Sequence, residues 1–540
     1  MFRDQLGNYI LEADARLSAL CNSGELKVTQ EQFCNALKGY KLDEALVVLG
    51  EISMKLNDKN FLENEALKKE RSGFIIHKLT KIFITEFALE YIANSFIISG
   101  ANNYKSLSIK DRDNILALFN IYHNGLVQGV RVRNLSSFLV PMYFQQFTSQ
   151  MDIKDVFIRQ WLIFEKIPAE LPSDLVLDLD KVLKDKYGIS IDEYIKLSFA
   201  IFAAGMSSPR FNLGRFTEST ITGGLSQVLK DEKMRSILNK LSVTPELFRD
   251  LDSKYNSNNL PSEYTKSRYN PLWEKPVIQV GANDYIIPSL SAYVKASFRG
   301  LYWIFENDLK AKFREYFGLL FERYVGLVLS DIYGESDVKP GFKYGSSHDK
   351  KEFFDWIVDR DDSVILIEAK GYQFPLPTLQ TGDPALIRKE IFSKIIKTIK
   401  QMYDRVRDIP NYEELKSLKD KKIICIGIFY DVPLLSTSIY DEDIKKALTG
   451  LEENNPGIQD MEYYLISIEE LEGYYFVKDY IEVDEIIKRV KANPATGVSN
   501  EISKVYKENN SGPPAIGNFL DRKFHEFYTE DLGLPTVDDE

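Results

Sequence analysis

The run Val364-Ile365-Leu366-Ile367, followed at once by Glu368-Ala369-Lys370, constrains the fold of this chain more than any other stretch. Side chains alternate across a strand, so Val364 and Leu366 fall on one face and Ile365 and Ile367 on the other. Apolar residues on both faces mark a central strand that other elements cover from either side. Charged residues at the end of such a strand are costly unless they bind something. A second β-prone burst, Phe353 to Val358, precedes it across Asp359-Arg360-Asp361-Asp362-Ser363, which reads as a hairpin.

The register of that hairpin decides what its carboxylates can do. If the loop is Arg360 to Ser363, closing on Asp359 and Val364, then Asp355 lies directly opposite Glu368. A two-residue loop leaves them diagonal neighbours on one face, whereas a three-residue loop separates them. Lys370 shares the face of Glu368. Carboxylates with Cβ atoms roughly 4.5–8 Å apart can share a hard divalent cation such as Mg²⁺. A cation held by Asp355 and Glu368 would polarise a phosphate and acidify water, while Lys370 orients that water or stabilises developing charge.

Asp355 followed thirteen residues later by Glu368-Ala369-Lys370 resembles the PD-(D/E)XK superfamily of restriction endonucleases and related enzymes. The preceding stretch Gly318-Leu319-Leu320-Phe321-Glu322-Arg323-Tyr324-Val325 is similar to that family's first helix, with Glu322 as the glutamate that reaches the metal site. A helix expected from Pro384 to Arg407 carries Lys394, Lys397 and Gln401 on one face, with Ile391, Ile395, Ile399 and Met402 toward the core. Strands expected at Lys422 to Tyr430 and Glu462 to Ile468 complete an αβββαβ order. The likeness covers under a third of the chain and departs from the pattern at Phe354, where the family's name has proline.

The resemblance implies a restriction-endonuclease-like α/β core with a mixed sheet, and the activity of a metal-dependent endonuclease. It implies catalytic roles for Asp355, Glu368, Lys370 and Gln401, and metal contacts at Asp355, Glu368, Ala369 and Glu322. Lys394 and Lys397 are then nucleic-acid contacts, Mg²⁺ is the cofactor with Mn²⁺ as substitute, and double-stranded DNA stands ahead of RNA as substrate. The lead-in from Pro271 to Val325 also looks like that of bacterial nucleases implicated in defence against phage. Cutting both strands requires two active sites, so a homo-oligomer is expected.

The rest of the chain sets the context. With 540 residues, it is long enough for about three or four packed units. Residues 1–266 read as a large, mostly helical region, with apolar spacing of i, i+3, i+4 over Leu42 to Leu56, Gly73 to Ser99, Ile109 to His123 and Asp192 to Ala204. Residues 267–300 read as a lead-in with a small hairpin, Pro276 to Pro288, and 301–492 as the nuclease-like domain. A long helix runs from Ser289 to Ser330 with a break near Gly318, and Asn493-Pro494 and Ser511-Gly512-Pro513-Pro514 make 493–540 a flexible linker and acidic tail. No metal-ligand or nucleophile pattern precedes Pro271, so the helical half is expected to sense, dock or oligomerise.

A net charge of −12 disfavours a protein that coats nucleic acid by bulk electrostatics, yet Pro377 to Cys425 holds eleven Lys/Arg against seven Asp/Glu. Cys21, Cys34 and Cys425 form neither a disulfide framework nor a zinc pattern, and His77, His123, His348 and His525 are too scattered for a paired-histidine site. No G-x-x-x-x-G-K-[ST] occurs, so no ATP site is expected. No apolar run spans a bilayer and the first residues do not read as a signal peptide, which points to the cytoplasm and away from a membrane.

Plainer readings stay open. Glu322 could pair with Arg323 or Lys312, the lysines could form an ordinary solvated face, and Phe353, Phe354 and Trp356 fit a core better than a base-stacking platform. At the level of function, the rivals are an inactive nuclease-like interaction protein and an RNA-directed nuclease.

Overall fold

The computed structural model describes residues 9–12, 28–57, 81–100, 104–108, 111–116, 118–119, 122, 153–218, 228–256, 269–347, 349–375, 388–431, 441–493, 497–510 and 517–534. Among these, the architecture is mixed α/β, and helices dominate the N-terminal half. Helix α1, Gln30–Leu37, opens on a capping box in which Thr29 and Gln32 satisfy each other's backbone N–H. Helix α2 is Leu42–Asn57, close to its expected span.

The helix expected from Gly73 is shorter. Thr85 caps α3, Glu86–Ser99, and Lys81–Ile84 before it is a strand paired with Tyr9–Glu12. β-branched and aromatic residues at 82–84 favour extended backbone, and the Thr85 side chain accepts the Ala88 N–H to start the helix. Gly73 to Leu79 lie outside the described residues, as does part of the expected helix Ile109 to His123. Further along are α4, Ile153–Trp161, and α5, Ile191–Ser207, which begins at a Ser190–Glu193 capping box.

The small hairpin between Pro276 and Pro288 forms as expected but does not stand alone. Its strands β3, Val277–Gln279, and β4, Asp284–Ile286, are the inner pair of a four-stranded sheet. The outer strands are β1, Arg210–Asn212, beside β4, and β2, Ser242–Val243, beside β3. Both outer strands come from the helical region, whose separation from the rest is therefore only one of sequence.

Helices α6, Gly300–Leu309, and α7, Ala311–Tyr333, correct the expected break at Gly318. The break is at Lys310, where φ is +52°. Its N–H closes α6 on Glu306 and its carbonyl opens α7 with Arg314. Gly318 lies inside α7, where a Cβ would meet nothing within 4 Å; the tight contact with this helix is made by Gly371, whose Cβ would come within 3.3 Å of the Gly318 Cα and 2.9 Å of the Phe321 Cβ. Gly371 thus lets the chain that follows Lys370 press on this helix.

A five-stranded mixed sheet follows α7. Strands β5, Val338–Pro340, β6, Trp356–Asp359, and β7, Ser363–Lys370, run antiparallel in sequence order. Helix α8, Ser393–Asp408, then crosses over to β8, Lys422–Phe429, parallel to β7, and β9, Tyr463–Ser467, lies parallel beyond β8. A single π turn, Arg388–Phe392, precedes α8, while Pro384 to Ile387 lie outside the described residues.

The two faces of β7 feed different cores, as the double apolar alternation predicts. Ile365 and Ile367 join Val325, Val328 and Leu329 of α7 in one cluster. Val364 and Leu366 join Ile395, Ile399 and Met402 of α8 in the other. The first cluster also contains Val156, Phe157 and Trp161 of α4, and the second Phe33 of α1 and Ile92 of α3. Packing therefore crosses the boundary expected near residue 266. A buried ion pair reinforces it: Arg159 of α4 donates at 2.9 and 2.6 Å to Glu472 of α9, Ile468–Tyr474, and Tyr324 of α7 donates to the same carboxylate at 2.6 Å.

The expected flexible tail is a second correction. Residues after 493 include helices α10, Val498–Asn509, and α11, Phe519–Glu526. Ile502, Val505, Leu520, Phe527 and Leu532 from this region are buried in the core that contains α7. Ser511 to Ile516 lie outside the described residues; the helices on either side of them are amphipathic, which the proline- and glycine-rich composition does not reveal. Within the described residues, no helix is long and apolar enough to cross a membrane.

Candidate active site

The hairpin has the register that a four-residue loop requires. Asp359 pairs with Val364 and Trp356 with Ile367, so the next pair along is Asp355 with Glu368. Three backbone and side-chain contacts fix Asp355. Its N–H donates to Ile367 O at 3.0 Å, its carbonyl accepts the Gly341 N–H at 2.8 Å, and its Oδ2 accepts the Ala369 N–H at 2.7 Å. Gly341 is required there, because a Cβ would lie 1.8 Å from the Phe354 carbonyl oxygen.

Glu322 reaches the same end of the sheet from α7. The indole N–H of Trp356 donates to its carbonyl oxygen at 2.8 Å, one helical turn before Gly326, over which the indole sits. Burial, then the nearby charge of Asp355, pushes the Glu322 carboxyl up to about 7. Burial also raises Asp355, against the opposing pull of Lys370 and the Ala369 N–H. Lys370 is lowered by burial, while Asp355 and Glu322 hold it up.

Glu368 is 1% exposed and is the most buried carboxylate of the group. Lys370 takes one of its oxygens and Arg405, from the last turn of α8, takes the other. The Arg405 guanidinium also lies 5.6 Å from the centre of the Phe354 ring. Sequence reasoning did not single out Arg405. The signal was its position four residues after Gln401 and eight after Lys397, on the face already assigned to polar work.

The other expected residues are placed less tightly. Gln401 lies one turn before Arg405, with its side-chain oxygen buried and without a hydrogen-bond partner among the described residues. Lys394 and Lys397 are exposed near the start of α8, and the Lys394 ammonium sits 4.5 Å above the Tyr372 ring. Burial and neighbouring Lys397 lower Lys394. Ala369 has no side-chain donor and enters the site through its backbone. Phe353 and Phe354 are buried in the core, as the plainer reading expected.

Glu322, Asp355 and Glu368 form an all-oxygen donor set of the kind a hard divalent cation takes. Burial, with the nearby charge of Asp355 adding to it, raises the Glu322 carboxyl, and a bound cation would oppose both effects. As they stand, however, no three acidic, His or Cys side chains among the described residues converge into a group able to hold a metal. Glu368 is turned toward its two cations.

No family model, curated protein or solved structure matches the chain.

Proposed function

We propose that this chain is a divalent-cation-dependent endonuclease with a PD-(D/E)XK-type core, acting on DNA ahead of RNA. The observation that carries the reading is the hairpin register that sets Asp355 across from Glu368, with Lys370 two residues beyond on the same face. Glu322, Asp355, Glu368 and the Ala369 backbone would hold Mg²⁺ or Mn²⁺. Such a cation supplies Lewis acidity at a phosphate oxygen and lowers the pKa of water.

The chain's own residues do the rest. The Ala369 N–H fixes the rotamer of Asp355. Lys370 offers a positive charge beside the reacting phosphate, where charge builds as the bond to the leaving oxygen breaks. Gln401 presents an amide oxygen that has no partner among the described residues and can orient a water, and Lys394 and Lys397 provide contacts along a phosphodiester backbone. A homo-oligomer carrying two such sites would cut both strands, and a role in defence against phage fits that activity.

Incubating the purified full-length chain with supercoiled plasmid and, separately, with structured RNA tests this. Cleavage with Mg²⁺ or Mn²⁺ that stops in EDTA is the expected result. Cleavage of RNA alone would move the assignment to an RNA-directed enzyme. One observation favours a second reading, an inactive nuclease-like interaction protein: both Glu368 oxygens are engaged by cations. That reading predicts no divalent-dependent cleavage and no binding of Mn²⁺ in calorimetry.

A further inference from the structure

We propose that Arg405 is a switchable phosphate-binding residue, held on Glu368 when no cation is bound there and released to a non-bridging oxygen of a nucleic-acid phosphodiester when a cation occupies Glu368. The inference rests on the metal-dependent reading above and adds a residue that the sequence pattern did not assign.

Three observations carry it. First, both Glu368 oxygens already face a positive side chain, Lys370 on one and Arg405 on the other, so a divalent cation arriving there meets like charge. Second, the two differ in freedom. Lys370 lies two residues along the same strand, so its ammonium stays at the site wherever Glu368 points, whereas Arg405 arrives from α8 on a long side chain. Third, Arg405 has capacity to spare. A guanidinium carries five N–H donors in a planar fork suited to phosphate, and among the described residues only one hydrogen bond leaves it, to Glu368.

The surroundings favour exchange over a permanent pair. Phe354 packs against the guanidinium and keeps it at the site when the ion pair opens. Asp355 and Glu352 lie close enough to draw positive charge to this end of the sheet. Side-chain exposure is 14% for Arg405 against 2% for Glu368, so the guanidinium is the more accessible of the pair to a phosphate arriving from solvent. Moving the guanidinium from carboxylate to phosphate trades one charge-assisted hydrogen bond for another.

The test uses the full chain and its Arg405→Gln and Arg405→Lys variants, each first checked for a wild-type unfolding profile. Mn²⁺ binding is read by calorimetry, and binding of a fluorescent oligonucleotide by anisotropy in EDTA and in Ca²⁺, used as a cation that does not support cutting. The wild type should bind the oligonucleotide several-fold more tightly in Ca²⁺ than in EDTA. Arg405→Gln should lose most of that gain while binding Mn²⁺ at least as tightly, since it no longer competes for Glu368, and Arg405→Lys should restore part of it. Unchanged oligonucleotide affinity in Arg405→Gln, with Mn²⁺ still bound, overturns the proposal alone. Weaker Mn²⁺ binding in Arg405→Gln overturns it in favour of a purely positioning ion pair. Absence of Mn²⁺ binding in the wild type overturns the metal-dependent reading and this inference with it.

Discussion

The indole N–H of Trp356 donates to the carbonyl oxygen of Glu322 at 2.8 Å, tying the strand that precedes the hairpin loop to the helix that supplies the third carboxylate. The contact is possible because Gly326 leaves room for the indole: a Cβ there would lie 2.1 Å from Trp356 Cζ2. Gly326→Ala should therefore destabilise the chain by about 1–3 kcal/mol, despite the better helix propensity of alanine. Urea unfolding checks this, and an unchanged midpoint would mean that the helix shifts freely and does not fix Glu322.

Lys370→Met leaves the carboxylates in place and removes one of the two cations on Glu368. Under the endonuclease reading, Mn²⁺ should bind at least as well as to the wild type, while plasmid cleavage slows by roughly 10²-fold. Calorimetry beside a cleavage time course separates the two effects. Loss of Mn²⁺ binding together with activity would assign Lys370 a role in building the site instead of in the reaction.

The Glu86 carboxylate is buried between α2, α3 and Ser289, accepting bonds from Ser53 at 2.7 Å, Asn57 at 2.7 Å and Ser289 at 3.0 Å. Burial, with Glu90 adding to it, pushes this carboxyl up to about 7. Its folded pKa is above the unfolded value, so the folded state binds more protons between about pH 4.5 and 7. Stability linked to Glu86 is thus fully present below that window and is lost as pH rises through it. Glu165 and Glu322 are also raised to about 7, so the informative quantity is the difference between proteins. Melting temperature should fall less from pH 5 to pH 8 in Glu86→Gln than in the wild type; identical pH profiles would count against a buried, proton-binding Glu86.

Arg159 joins the N-terminal helices to the body that carries the candidate site, because Glu472 and Tyr324 share its charge in a buried cluster. Arg159→Met strands the Glu472 carboxylate, and destabilisation of about 3–5 kcal/mol is expected. Replacing Glu472 by Gln in the same chain should recover part of it. A fragment from residue 267 onward lacks α4 and both outer strands of the small sheet, so it should not show a cooperative unfolding transition. A well-folded fragment, or a silent Arg159→Met, would restore the view of the helical half as a detachable module.

The hairpin was legible from sequence because its constraints are local. Strand alternation, the few loop lengths that can join the two strands, and the cost of burying Glu368 all act within about twenty residues of chain. The same locality made the α2, α5 and α8 patterns readable from their apolar spacing. It also explains the misplaced break: Gly318 looks like a helix breaker by propensity, yet one glycine costs a long packed helix only about 1 kcal/mol, and the chain turns at Lys310 instead.

Sequence by itself thus determined the double-faced strand, its hairpin partner and the face shared by Glu368 and Lys370, and the four-residue loop of the structure then adds Asp355 to that face. Only the tertiary structure decided that Arg405 takes a Glu368 oxygen, that β1 and β2 enclose the small hairpin, and that α10 and α11 pack into the core. Each of these depends on how elements distant in sequence are oriented against one another. That orientation follows from the summed burial of many side chains, which no single stretch encodes.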